Sequence, residues 1–146
     1  MHYLVLLFRL MLVLVAAYAF WRGSRDERLV AGICLAGAIL SKLVVSPLQV
    51  RYFAIEPAIM TVDLLVLAAF VHIALYSKRF WPLWIAGLQL TTIMGHLLKA
   101  VGGDLIPSAY GIALGFWAYP IILILAIATW RTGRWRGRID GSPLLH

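Results

Sequence analysis

Four polar side chains recur at helical spacing within the apolar stretch 83–101, namely Gln89, Thr92, His96 and Lys99. At about 100° per residue, they fall on one stripe of a helix that is roughly 80° wide. Histidine ordinarily titrates near pH 6.5, so it changes charge near neutral pH, and a neighbouring lysine attracts anions. The stripe therefore indicates a site for protons or a small anion, with interhelical hydrogen bonding as the alternative.

Three charged side chains, Arg9, Lys42 and Asp63, interrupt other apolar stretches. If the stretches 29–46 and 58–77 are antiparallel helices, Lys42 lies roughly 6 Å and Asp63 roughly 8 Å from the same end of the pair. A charge at that depth in a membrane costs up to a few kcal/mol unless it is paired or reaches the surface. We therefore predict a Lys42–Asp63 ion pair, and the alternative is that Lys42 extends to the lipid headgroups.

The last apolar stretch contains features that would shape a cavity. The sequence GIALG at 111–115 is a GxxxG pattern, which is typical of close helix packing, and Pro120 predicts a kink. Tyr119, beside that kink, would place a hydroxyl group in the middle of a bundle. The predicted binding residues are Arg9, Lys42, Asp63, Gln89, Thr92, His96, Lys99 and Tyr119.

Composition indicates what positions these side chains. Hydrophobic residues make up 63% of the chain and charged residues 13%, against about 45–50% and about 25% in soluble domains. The apolar residues form five runs of roughly the 20 residues that a membrane-spanning helix needs. We predict an all-α polytopic membrane bundle and a single domain, 1–146, with a basic tail at 131–146. The predicted spans are 3–21, 29–46, 58–77, 83–101 and 108–130.

Basic residues alternate between the two predicted sides of the membrane. The first connection, the third connection and the tail hold Arg22, Arg25, Arg28, Lys78, Arg79, Arg131, Arg134, Arg136 and Arg138. The second connection has only Arg51, and the fourth has Asp104. Because positive residues stay in the cytoplasm, we expect the N-terminus outside and the C-terminus inside a bacterial-type inner membrane.

Two alternatives bear on this topology. The first run could instead be a signal peptide, because AYAF at 17–20 contains a small-x-small triplet, but its positive charges follow the run rather than precede it. The net charge of +7 could suggest a nucleic-acid partner. The positive-inside pattern accounts for that charge, so we predict membrane lipids and no nucleic acid as partners.

The known signatures of enzymes and metal centres are missing from the sequence. There is no Ser-His-Asp set, HExxH motif or phosphate-binding glycine loop, so we predict no enzyme. Cys34 is the single cysteine, and the doublet Asp26–Glu27 is interpreted as a solvated turn. His72 and His96 differ in predicted depth by roughly 12 Å, so one iron cannot take both. We predict no cofactor and no metal, with haem or pigment ligation by a single histidine left open.

Two classes of function follow from these patterns. The first is a small transport or binding protein, a homo-oligomer, that handles an anion, an anionic headgroup or protons through the polar cluster in the outer half of the bundle. The second is a non-catalytic accessory or assembly subunit of a larger membrane complex. In that case the polar side chains serve only to fix the orientation of the helices.

Overall fold

The computed structural model describes residues 2–44, 55–101 and 116–140. These ranges contain five α-helices and no strand. The helices are α1 (His2–Arg22), α2 (Arg25–Val44), α3 (Ile55–Tyr76), α4 (Trp81–Val101) and α5 (Ala118–Asp140). The all-α prediction is thus confirmed, and α1 to α4 begin and end within a few residues of the predicted apolar runs.

The connection between α1 and α2 follows from its sequence. Ser24 precedes the first residue of α2, and its backbone N–H donates to Glu27 Oε2 at 2.9 Å, which is one half of a capping box. The Gly23 N–H donates to the Ala19 carbonyl at 2.8 Å. A Cβ atom at Gly23 would collide with that same carbonyl oxygen, so the tight passage from α1 to α2 requires glycine.

The five helices close into a ring in chain order. Each helix contacts the next, α5 returns to contact α1, and α2 also contacts α5 across the ring. Ser77 Oγ donates to Asp26 Oδ2 at 2.7 Å, so the α1–α2 and α3–α4 connections lie at the same end. We call this the basic end, because residues 22–28, 78–79 and 131–138 bring their arginines and lysine to it.

The apolar core is built from small and medium side chains of all five helices. It comprises Ala16, Ala19, Val30, Ala31, Phe70, Ile73, Ile85, Ala86, Ile121 and Leu125. The members on α1 to α4 come from the halves of those helices nearer the basic end, where four alanines allow close approach. A cavity lies in the opposite half of the bundle.

By length and composition alone, one segment of the described helices is apolar enough to cross a membrane. That segment is Pro57–Tyr76 in α3, with a mean hydropathy of 2.3. By contrast, α2 begins with four charged residues and carries Lys42 near its end. The five predicted runs are therefore confirmed as an all-α fold with five helices in the described ranges. Five membrane spans are not supported, because one helix meets the criterion.

The last helix differs from its prediction at both ends. Phe116 is helical, Trp117 forms a turn and α5 begins at Ala118, so Pro120 lies in the first turn of α5. A proline there removes no hydrogen bond from within the helix, so it marks a break rather than a kink inside a span. The helix continues to Asp140, through the expected tail, and buries Thr132 and Gly133. The GxxxG pattern at 111–115 lies outside the described residues, as do Arg51 and Asp104.

Gly37 sets the distance between α2 and α3. It is buried, and a Cβ atom at this position would lie 2.9 Å from Val66 Cγ2 of α3. Two other small residues of α2, Gly32 and Ala36, are less enclosed than Gly37. Gly32 does face α1, where an added Cβ would lie 3.9 Å from Phe20 Cζ, but Ala36 is exposed.

We expect Gly37→Ala to lower the free energy of unfolding by about 1–3 kcal/mol, because the added methyl overpacks the contact with Val66. Gly87→Ala is the matched control, since a Cβ there meets nothing within 4 Å. The control should change stability by no more than about 1 kcal/mol. Denaturant titration of the purified variants measures both. Equal losses for the two variants would contradict the close contact of α2 with α3.

Candidate functional site

An acid–imidazole pair lies between α3 and α4. His96 Nε2 and Asp63 Oδ2 are 3.0 Å apart, and Gln89 Nε2 donates to Asp63 Oδ1 at 3.2 Å. The side chain of His96 is 7% exposed and that of Asp63 is 20% exposed. Both carboxylate oxygens are therefore engaged by α4, and the charge of the pair depends on the protonation of His96.

A cavity of about 640 Å³ borders this pair in the half of the bundle away from the basic end. Four of the predicted site residues line it: Arg9 from α1, Lys42 from α2, Asp63 from α3 and Gln89 from α4. Phe70, Ile121 and Ile122 form apolar wall toward the core. The volume falls within the range of small-molecule sites, roughly 300–1,000 Å³.

The predicted Lys42–Asp63 ion pair is wrong. The carboxylate of Asp63 bonds to His96 and Gln89, whereas Lys42 is exposed and makes no ion pair within the described residues. The physical reason is rotational: equal depth brings two residues to one level but does not turn them toward each other. The two side chains still line the same cavity. Lys42 and the exposed Arg9 thus supply positive charge without a bonded counter-ion among those residues.

Three other predicted site residues, and also His72, differ in their burial and contacts. Thr92 is half-buried, and its hydroxyl makes no hydrogen bond inside the described ranges. Lys99 belongs to α4, but its side chain is not among the described ones. Tyr119 is half-buried, with its ring 5.3 Å from that of Phe8 in an edge contact. His72, on α3, is exposed beside Tyr76, with ring centroids 4.7 Å apart.

A second polar cluster at the basic end was missed by the sequence analysis. The side chain of Glu27 is fully buried, and Arg79 Nη1 lies 2.6 Å from Glu27 Oε1. Thr132 Oγ1 donates to the same oxygen at 2.8 Å and accepts from Arg79 Nη1 at 2.7 Å. The other carboxylate oxygen accepts from the backbone N–H and the hydroxyl of Ser24. This network joins α2, the α3–α4 connection and α5.

The interpretation of Asp26–Glu27 as a solvated turn is therefore wrong for Glu27. The sequence SRDE, residues 24–27, matches the S/T-x-x-E capping box, and that signal would have placed the Glu27 carboxylate against the start of α2. The partners on Arg79 and Thr132 are distant in sequence, and no local pattern indicates them. The cluster is structural in character, because every one of its polar groups contacts another.

Opposing effects set the acidity of Glu27, which precedes the predicted span 29–46. Burial would raise the pKa of this carboxyl, but the hydrogen bonds from Ser24 and Thr132 and the charge of Arg79 outweigh it and lower the pKa below 4.5. The carboxylate form is thus preferred when the protein is folded. Stability from this preference is present above pH 4.5 and is lost as the pH falls through the lower pKa of the folded state.

Comparison with known proteins gives no match: no family model, curated protein or solved structure resembles the chain. Among the described residues, no group of three or more His, Cys, Asp or Glu side chains is arranged to hold a metal ion.

We expect Glu27→Gln to flatten the loss of stability below pH 4.5, because it removes the carboxyl whose pKa folding lowers. Thermal melts of the purified protein between pH 3 and pH 7 measure the effect. Asp26→Asn, on the same helical turn, is the matched control and should keep the acid sensitivity of the wild type. An unchanged acid profile in Glu27→Gln would contradict the network.

A second test separates the observed pair from the predicted one. Asp63→Leu should lower the free energy of unfolding by about 2 kcal/mol or more, because it leaves the buried Gln89 and His96 without their shared acceptor. Lys42→Met should cost no more than about 0.5 kcal/mol, as expected for an exposed position. Unfolding titrations in detergent give both values. A larger loss for Lys42→Met than for Asp63→Leu would restore the original pairing.

Proposed function

We propose that this chain is a multi-pass protein of a bacterial-type inner membrane that binds and passes a small anion under the control of one proton. The observation that carries the proposal is the Asp63–His96 pair beside a cavity that Arg9 and Lys42 also line. Such a combination of positive charge and an acid–imidazole pair is suited to proton-linked anion handling. The membrane setting and the chemistry of the cavity have separate support.

The outer surface of the bundle supports a membrane setting. Large apolar side chains are exposed on every helix, among them Leu6, Leu40, Leu65, Leu98 and Leu123. Polar side chains are buried instead, including Glu27, Gln89, His96, Thr129 and Thr132. Soluble proteins rarely expose so many large apolar side chains on every helix, whereas a lipid-facing bundle must turn its polar groups inward.

The best candidate span is itself exposed rather than enclosed. Only 17% of the apolar window in Pro57–Tyr76 is buried, whereas the core helix of a soluble protein would be mostly buried. We extend the spanning role to all five helices, because each of the other four also exposes large apolar side chains. Membrane lipids are then the partners of the whole outer surface.

The basic end supports the proposed orientation. Trp21, Trp84, Trp130 and Trp135 are exposed there, and the guanidinium groups of Arg22 and Arg134 lie 5.2 Å and 4.5 Å from the rings of Trp21 and Trp130. Exposed indoles and arginines are typical of the boundary between a membrane and the cytoplasm. The cavity then belongs to the half of the bundle nearer the outer face.

Charge explains how a proton would control the cavity. With His96 neutral, Asp63 offsets one of the two positive charges that Arg9 and Lys42 contribute. With His96 protonated, the charge of Asp63 is itself compensated, and both positive charges act on an anion. At a separation of several ångströms in a partly hydrated site, such a change is worth about tenfold in affinity or more. Acid should therefore favour anion entry.

Purified protein in liposomes tests this function. We expect chloride efflux, read by a halide-sensitive dye, to be about tenfold faster at pH 5.5 than at pH 7.5. His96→Gln keeps a donor for Asp63 but does not titrate, so its flux should be independent of pH in this range. Asp63→Asn should raise the flux at pH 7.5, because it removes the negative charge from the cavity.

His72→Gln is the matched control, since it makes the same change at an exposed histidine outside the cavity. It should retain the pH dependence of the wild type. Absence of anion flux, together with a second protein that co-purifies in fixed ratio, would reject transport in favour of an accessory subunit. A stable homo-oligomer that carries flux would support a self-assembled transporter.

A further inference from the structure

A second cavity, of about 660 Å³, lies at the basic end between the start of α4 and the last part of α5. One part of its lining is cationic, with Arg79, Arg131 and Arg136. Another part is apolar, with Ile124, Ile127 and Ala128 of α5. It is separate from the cavity that Arg9, Lys42 and Asp63 line, and the proposed anion path does not use it.

The arginines of this cavity carry an excess of positive charge. Arg79 is matched by the buried carboxylate of Glu27. Arg131 and Arg136 are both exposed, and neither makes an ion pair with a described residue. The three arginines and the Glu27 carboxylate together have a formal charge of +2, so the cavity favours an anionic ligand.

Trp81 provides an independent indication of a ligand. It lines this cavity, and its indole nitrogen Nε1 is buried without a hydrogen-bond partner among the described residues. Buried polar groups are nearly always satisfied, so an orphaned N–H donor requires an explanation. Trp81 is also the first residue of α4, whose positive dipole end therefore lies at this cavity.

We propose that this cavity binds an anionic phospholipid of the cytoplasmic leaflet. Its phosphate would bond to Arg131, Arg136 and the Trp81 indole, while an acyl chain would follow Ile124 and Ile127. An inorganic phosphate would use the arginines but leave the apolar wall without a partner. A lipid uses both walls, and the charge of +2 best suits a headgroup with two phosphates. This inference rests on the proposed membrane setting but not on anion flux.

Native mass spectrometry of the full-length protein, released from detergent with added lipid, tests the site. We expect cardiolipin to bind most tightly, phosphatidylglycerol less tightly and phosphatidylcholine at least about tenfold more weakly than cardiolipin. The double variant Arg131→Gln with Arg136→Gln should lose about tenfold or more in cardiolipin affinity. Trp81→Phe should lose a few-fold, because only one donor is removed.

The matched control is Arg134→Gln with Arg138→Gln, which removes the same charge from the same helix outside the cavity lining. This control should change cardiolipin affinity by less than about threefold. Equal losses in the two double variants would overturn the proposal in favour of non-specific surface attraction. Displacement of the lipid by millimolar inorganic phosphate would also overturn it, by making the site one for free phosphate.

Failure of this inference is distinguishable from failure of the proposed function. Loss of lipid selectivity with proton-dependent chloride flux intact would reject the lipid site alone. Selective cardiolipin binding without any flux would support the lipid site and reject the transport proposal. Extraction of the protein from membranes by alkaline carbonate would reject both, because the lipid site presupposes a spanning bundle.

Discussion

The buried carboxylate of Glu27 is the constraint on which the basic end of the bundle depends. Removing an ion from water costs several kcal/mol, and the cost is offset only where good partners replace the lost hydration. Both oxygens of Glu27 are engaged, by Arg79 and Thr132 on one side and by Ser24 on the other. Since these partners come from three different parts of the chain, the axial positions of α2, α4 and α5 are fixed together.

The close approach of the helices in the core follows from where the small residues lie. Ala16, Ala19, Ala31 and Ala86 are buried near the Glu27 network and allow the helices to approach closely. Toward the other end, long polar side chains replace them on α1 and α2, and Arg9 and Lys42 line a cavity instead of filling a core. The Glu27 network therefore anchors one end of the bundle, and the cavity that borders Asp63 lies in the other half.

The sequence predicts the helices well because apolar run length is a local property. It predicts the partners of Asp63 poorly because depth and rotation are independent. Asp63 and His96 lie at nearly equal distances along the chain from the short α3–α4 connection, so an antiparallel hairpin brings them to one level. Gln89 and His96 also share one face of α4. Lys42 lines the same cavity, but the carboxylate of Asp63 bonds to Gln89 and His96 instead.

Neither Arg79 nor Thr132 was foreseeable as a partner of Glu27, and the reason is general. Each is compatible with a solvated loop or a lipid-boundary position, and only the assembled ring brings them together. The alternation of basic residues along the sequence predicts at which end of the bundle Arg79 lies. It does not indicate which carboxylate Arg79 contacts. The capping box at 24–27 was the single local signal that this carboxylate is held in place.

Glu27 is fully buried and Asp63 is partly exposed, and this difference bears on the role that each carboxylate can have. Glu27 is fully enclosed by fixed donors, so protonation would break contacts on three chain segments at once, and the network is suited to one charge state. Asp63 is partly exposed to a cavity that is large compared with the roughly 30 Å³ occupied by a water molecule. Hydration of that space would lower the cost of changing the charge on the pair. We therefore propose that a group that gains and loses a proton during function belongs at Asp63–His96 and not at Glu27.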